Sequence, residues 1–285
     1  MQRALAALQL LARCELCPRR CGVDRLQEER GVCGIGRQAR VAGVHAHFGE
    51  EAPLVGTGGS GTIFFSGCNL LCSFCQNWEI SRGYEGKALS AQELAAAMIR
   101  LQERGCHNIN LVTPARIIPQ ILVALPIAVD AGLRLPLVYN CGGYEAVPTL
   151  RLLDGIVDIY MPDFKFWDDR WAYHCCGVTD YRARAMAALR EMHRQVGDLV
   201  IDENGLAVRG LLVRHLVMPG NIAGTAEVAA FLAEEISRDT YVNIMAQWRP
   251  CGAARSDPLL NRPLRREEYL LAVEAARRAG LHRFA

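Results

Sequence analysis

From about residue 60 onward, short apolar runs alternate with longer stretches that carry helical periodicity. The runs are TIFFSG, NINLVTP, LPLVYN, IVDIYMPD, GLLVRHLVMPG and TYVNIMAQ. Apolar runs of this length, separated by helical segments, predict βα units around a parallel sheet. Between the first two runs, SAQELAAAMIRLQERG opens on Ser90 with Glu93 three residues on, a capping box, and closes on Gly105, where a left-handed C-cap belongs. Further helices are expected over 145–153, 180–196, 225–236 and 266–279. Pro119 and Pro126 predict a broken helix over 116–131. Asn204-Gly205 lies between two apolar runs and predicts a small β hairpin before the fifth strand.

Six βα units are too few to close an eight-stranded barrel, so the expected architecture is an α/β, TIM-like but open and incomplete (βα)6 barrel. Residues 56–285 would form it, and residues 1–55 a small N-terminal cysteine-rich metal-binding module with a connecting strand. In such sheets ligands gather at the carboxyl ends of the strands. The polar residues there are Cys68, Thr113, Asn140, Asp163, Lys165, Gln247 and Arg249.

Composition narrows the function. Of 285 residues 51% are hydrophobic and 22% charged, enough for a large core, and the net charge of +2 argues against a nucleic-acid partner. Only Lys87 and Lys165 are lysines, so a lysine at a strand end is notable. The N-terminal MQRALAALQLLARC reads as an amphipathic helix, because Arg13 before Cys14 is wrong for signal processing. No apolar stretch is long enough to span a bilayer, and the expectation is a soluble, cytoplasmic protein without a membrane partner.

Twelve cysteines in a chain of this length point to metal or redox chemistry. Cys106, Cys141, Cys175, Cys176 and Cys251 are scattered and read as buried structural thiols. The other seven form two sets. The first, GTIFFSGCNLLCSFCQNWEIS, places Cys68, Cys72 and Cys75 in a C-x3-C-x2-C loop directly behind the first strand. A cubane 4Fe-4S cluster is held by four thiolates; three would leave one iron open. The alternative is half of a zinc site completed from elsewhere.

This loop behind a first barrel strand resembles the radical S-adenosylmethionine enzymes. FFSGCNLLCSFCQNWEIS, PDFK and VRHLVMPG are similar to segments of the pyruvate formate-lyase activating enzymes. The cysteine-rich N-terminus, YNCGGYE and RPC resemble an uncharacterised branch related to them. The resemblance implies a 4Fe-4S cluster on Cys68, Cys72 and Cys75 whose open iron takes S-adenosylmethionine. It implies reduction by a flavodoxin or ferredoxin and release of a 5'-deoxyadenosyl radical that abstracts hydrogen. It puts Phe74 near the adenine, with Gly67 allowing the tight exit from the strand. Asp163 and Lys165 would lie by the nucleoside or reacting centre, and Arg214 by the methionyl or ribose portion. A surface ion pair for Asp163 and Lys165, and a buried structural pair for Arg214, are the plainer readings. One motif departs from the family: LVTPAR replaces the glycine-glycine-glutamate after the second strand, which leaves the amino-group contact to Thr113. Asn140 completes the expected cofactor set.

The second set, Cys14, Cys17, Cys21 and Cys33, supplies four thiols; both zinc and a second iron-sulfur cluster fit, and unligated buried thiols are the alternative. VHAHFGEEAPL brings His45, His47, Glu50 and Glu51 close together; strand alternation puts both histidines on one face, but nothing fixes the carboxylates toward them, and a connecting strand and loop is preferred to a metal site. His174 and His215 read as surface or packed histidines. The functional expectation is a glycyl radical enzyme activating enzyme. The alternatives are a radical enzyme acting on a small molecule or another polypeptide, and a non-catalytic iron-sulfur carrier.

Overall fold

A computed structural model describes residues 2–285. Its strands are β1 (Ala39–His47), β2 (Ser60–Phe65), β3 (Lys87–Leu89), β4 (Ile109–Val112), β5 (Leu137–Cys141), β6 (Ile159–Pro162), β7 (Val200–Ile201), β8 (Ala207–Leu216), β9 (Tyr241–Met245) and β10 (Arg283–Phe284). Its α-helices are α1 (Gln2–Gln9), α2 (Ala52–Val55), α3 (Trp78–Gly83), α4 (Ala91–Glu103), α5 (Ile118–Asp130), α6 (Val147–Arg151), α7 (Asp169–Cys176), α8 (Tyr181–Val196), α9 (Thr225–Phe231) and α10 (Arg266–Arg278).

All six expected strands form and lie side by side as β2-β4-β5-β6-β8-β9, every neighbouring pair parallel. Short β10 extends one edge in parallel, and β1 then β3 extend the other in antiparallel fashion. The sheet is mixed and its two outermost strands, β10 and β3, do not pair, the arrangement of an incomplete barrel. Strand alternation divides the side chains. Ile63 and Phe65 of β2 enter an outer core with Leu94, Met98 and Leu101 of α4, while Phe64 faces the interior. Each large apolar side chain buried in this way contributes roughly 1.5–3 kcal/mol.

The capping box of α4 is present: Ser90 Oγ accepts from Glu93 N at 3.2 Å and Glu93 reaches back to Ser90 N at 2.8 Å. The hairpin also forms, with β7 antiparallel to β8, but its turn is wider than two residues. The Asp202 carboxylate accepts from Asn204 N and Leu206 N, and Gly205 takes φ +78°. Two expectations are corrected. The segment 116–131 is a 3-10 turn running into an unbroken α5, because Pro119 falls in the first turn, where no amide partner is needed, and burial of Ile121, Leu122, Leu125 and Ala128 offsets the cost of Pro126. Over 145–153 only Val147–Arg151 is helical, since Glu145 is drawn out of the helix into a buried bond with Tyr139.

Helix α1 is amphipathic, burying Ala4 and Ala7 against the main core. Among the described residues no helix is long and apolar enough to cross a membrane.

Candidate active site

The carboxyl ends of the parallel strands open into one cavity of about 740 Å³, within the size range of small-molecule sites. Cys68, Cys72 and Cys75 line it together, on the loop between β2 and α3. Gly67 starts that loop at φ +79°, and a side chain there would collide with the backbone carbonyl of Cys33. Arg19 fastens the loop to its surroundings by donating to Asn69 O at 2.8 Å, Cys176 O at 2.7 Å and Gly177 O at 2.9 Å. Phe74 is buried edge-on to Phe166 at 5.9 Å and beside Trp248 at 5.3 Å, and still lines the cavity.

Thr113, Asn140, Asp163, Lys165 and Arg214 line the same cavity as the three-cysteine loop. Thr113 holds a left-handed backbone at φ +55°, a real cost for a β-branched residue, maintained by its N–H to Asn140 O at 2.7 Å and by Arg116, which donates to its carbonyl. Asp163 and Lys165 pair at 2.6 Å with side chains only 21% and 17% exposed, so this is a cavity pair, not a surface one. Burial opposes the Lys165 ammonium, but Asp163 and Cys72 hold its pKa well above the ordinary value.

Arg214 lines the cavity and is at the same time held in a buried ion pair. Glu51 grips it twice, accepting from Nε at 2.7 Å and from Nη2 at 2.5 Å, and Glu50 accepts from Nη2 as well. Asn243 donates to Glu51 at 2.7 Å and Asn110 to Glu50 at 3.0 Å. Only Nη1 of Arg214 is left without a partner among the described residues. Burial raises the Glu51 pKa, but the Arg214 bonds outweigh it and hold the carboxyl below its usual range. Glu50 and Glu51 were not singled out with Arg214 in the sequence because 163 residues separate Glu51 from it. The one hint was their nearness to two histidines of a single strand face. His45 and His47 do share that face, packing on Phe64 with ring centroids 5.2 and 5.9 Å away, and His47 lines the cavity.

Several further titratable groups do not line the cavity. Glu145 is buried, which pushes its pKa up to about 7 although Tyr139 donates to it at 2.9 Å and the Cys141 thiol is bonded to it. Arg116 is buried too, with Nε on Ser66 O at 2.7 Å and Nη2 unpartnered, in a neighbourhood shared by Cys68 and Cys33. Cys14, Cys17 and Cys33 are buried, Cys21 less so, and burial raises the Cys17 thiol to about 12. His215 is packed between Phe164 O and Thr225, and burial lowers its pKa to about 4; His174 is a surface partner of Asp257 at 2.5 Å.

Among the described residues no three His, Cys, Asp or Glu side chains converge tightly enough to hold a single metal ion. A cubane is a larger body that presents a separate iron to each thiolate, so three cysteines spread along a cavity wall suit it better than one ion. Arg116, buried in the neighbourhood of Cys68 with one nitrogen unpartnered, would offer positive charge to an anionic cluster there. The residues present therefore fit a cluster.

The model of the radical SAM superfamily matches residues 62–204, about half of the chain and spanning the three-cysteine loop. The chain belongs to the radical SAM superfamily. It is also similar to an uncharacterized protein of Methanocaldococcus jannaschii, 32% identical over an alignment of 285 positions that takes in 96% of this chain and 77% of that protein. In this radical SAM protein the matched region takes in β2, β4, β5 and β6 and ends before β8, so Arg214 and Asn243 lie outside it.

Proposed function

We propose that this radical SAM protein holds a 4Fe-4S cluster on Cys68, Cys72 and Cys75, cleaves S-adenosylmethionine, and activates a glycyl radical enzyme. The observation that carries the reading is that three thiols of a single loop share the cavity wall. Cys141 contributes to that wall, but its thiol is bonded to Glu145. When bound and reduced by a flavodoxin or ferredoxin, such a cluster supplies the electron that splits S-adenosylmethionine into methionine and a 5'-deoxyadenosyl radical. The protein's own residues then bind, orient and exclude water. Thr113 and Asn140 offer polar groups to the cofactor's amino acid end. The Asp163–Lys165 pair offers a fixed carboxylate and ammonium to its nucleoside or to the reacting centre. Phe74 covers the site with an apolar face. Cys14, Cys17, Cys21 and Cys33 do not converge tightly enough for a single zinc ion, so a second metal on this set would be another iron-sulfur cluster.

A second reading, action on a small molecule or a different polypeptide, is favoured by the Thr113 motif and by the charged floor of Glu50, Glu51 and Arg214. The experiment is anaerobic reconstitution with iron, sulfide and zinc counted, then reduction with S-adenosylmethionine. Release of 5'-deoxyadenosine, abolished in Cys72→Ala, is expected; its absence from the intact protein leaves a non-catalytic carrier and refutes the proposal. Mixing with candidate glycyl radical enzymes separates the two targets, since a backbone radical supports the first and a modified metabolite in step with 5'-deoxyadenosine the second.

A further inference from the structure

One scattered cysteine meets the three-cysteine loop. The Cys176 thiol donates to the sulfur of Cys72 across 3.3 Å, with both side chains buried. Two sets of bonds that need no metal hold this contact. Ser73 N donates to Cys175 O at 2.8 Å, tying the end of α7 to the loop on one side. Arg19 clamps the carbonyls of Cys176, Gly177 and Asn69 on the other. These bonds hold the backbone of Cys176 beside the loop independently of any bound group. Cys176 is not among the residues lining the cavity, so it approaches Cys72 from the side away from the cavity and is not placed to fill an iron corner that opens there.

We infer that Cys176 is a positioning residue that donates a hydrogen bond to the cluster ligand Cys72 and thereby raises the reduction potential of the cluster. This rests on the proposed reading of Cys68, Cys72 and Cys75. The chemistry fixes the direction of the bond. A ligating Cys72 is a thiolate and only accepts, so Cys176 is the donor, and a bond to an ionised acceptor is stronger than one to a neutral acceptor. Reduction adds electron density that the sulfur ligands share. A donor on one of them stabilises the reduced state more than the oxidised one, and hydrogen bonds to sulfur are among the levers that set such potentials.

The test is a redox titration of the anaerobically reconstituted protein followed by electron paramagnetic resonance, with iron counted for each variant. The signal followed is the one that changes when S-adenosylmethionine is added, which separates this cluster from any other. Cys176→Ala is expected to keep its iron and to lower the reduced-to-oxidised ratio at the parent midpoint by three- to tenfold, tenfold being about 59 mV for one electron. Cys176→Ser, which keeps a donor, restores most of the shift, and Cys175→Ala leaves the midpoint unchanged. An unmoved midpoint in Cys176→Ala, a serine variant that behaves like alanine, or loss of cluster iron on removing Cys176 overturns the inference. Failure of the parent to assemble a cluster that responds to S-adenosylmethionine refutes instead the reading on which it rests.

Discussion

Replacing Glu51 by alanine tests whether the charged floor of the cavity is a structural unit. Glu51 accepts three bonds, two from Arg214 and one from Asn243, and its side chain is 1% exposed against 15% for Arg214. Removing one partner of a buried pair costs about 3–5 kcal/mol, because the remaining charge is left without compensation. Glu50 keeps its bond to Arg214, and the free Nη1 edge stays in reach of cavity water, so the lower end, about 3 kcal/mol, is expected. At roughly 2–4 °C per kcal/mol for a chain approaching this size, that is a fall in Tm of about 6–12 °C. The assay is urea denaturation of Glu51→Ala, Arg214→Met and the double variant. Residues in direct contact couple, so the double variant should lose less than the sum of the singles by about 1.5 kcal/mol or more. The Glu51 pKa is lowered in the fold, so its contribution is present above about pH 4.5 and is lost as the pH falls through the folded value. A Glu51→Ala protein within about 0.5 kcal/mol of the parent, or strictly additive variants, would refute the argument.

Glu145 should act with the opposite sign. Its folded pKa is raised to about 7, so the stability it contributes is greatest below about pH 4.5 and is lost as the pH rises through 7; between pH 6 and 8 the parent should lose about 1 kcal/mol that Glu145→Gln does not, measured by denaturation at each pH. Gly67→Ala combines a left-handed backbone with a collision against the Cys33 carbonyl, and should lower stability by about 2 kcal/mol or more and reduce iron retention on reconstitution. Thr113→Gly relieves a strained backbone while loosening the unfolded chain, so its Tm should stay within about 3 °C of the parent; a drop like that of Glu51→Ala would show that the Thr113 side chain is held by packing.

The local rules that act over a few residues were legible in advance. The six strands, the Ser90–Glu93 cap, the exit at Gly67 and the gathering of Cys68, Cys72 and Cys75 all depend on neighbours within about ten residues, where spacing, turn chemistry and periodicity decide. Pro126 shows the limit of such rules, since its local cost was outweighed by apolar burial that α5 finds only in the folded chain.

The amino-acid sequence by itself determined the alternating βα order, the three-thiol loop behind the first strand and the polar residues at the strand ends. Only the tertiary structure decided which partners those residues meet. Arg214 is taken up by Glu50 and Glu51, Cys72 is met by Cys176 from 104 residues away, and Glu145 is drawn to Tyr139 and Cys141. The physical reason is that a charge or a thiol is satisfied by whatever the fold brings within about 3 Å. Inside a closed-packed interior that choice is set by the register of the strands and the docking of the loops, which no local pattern encodes.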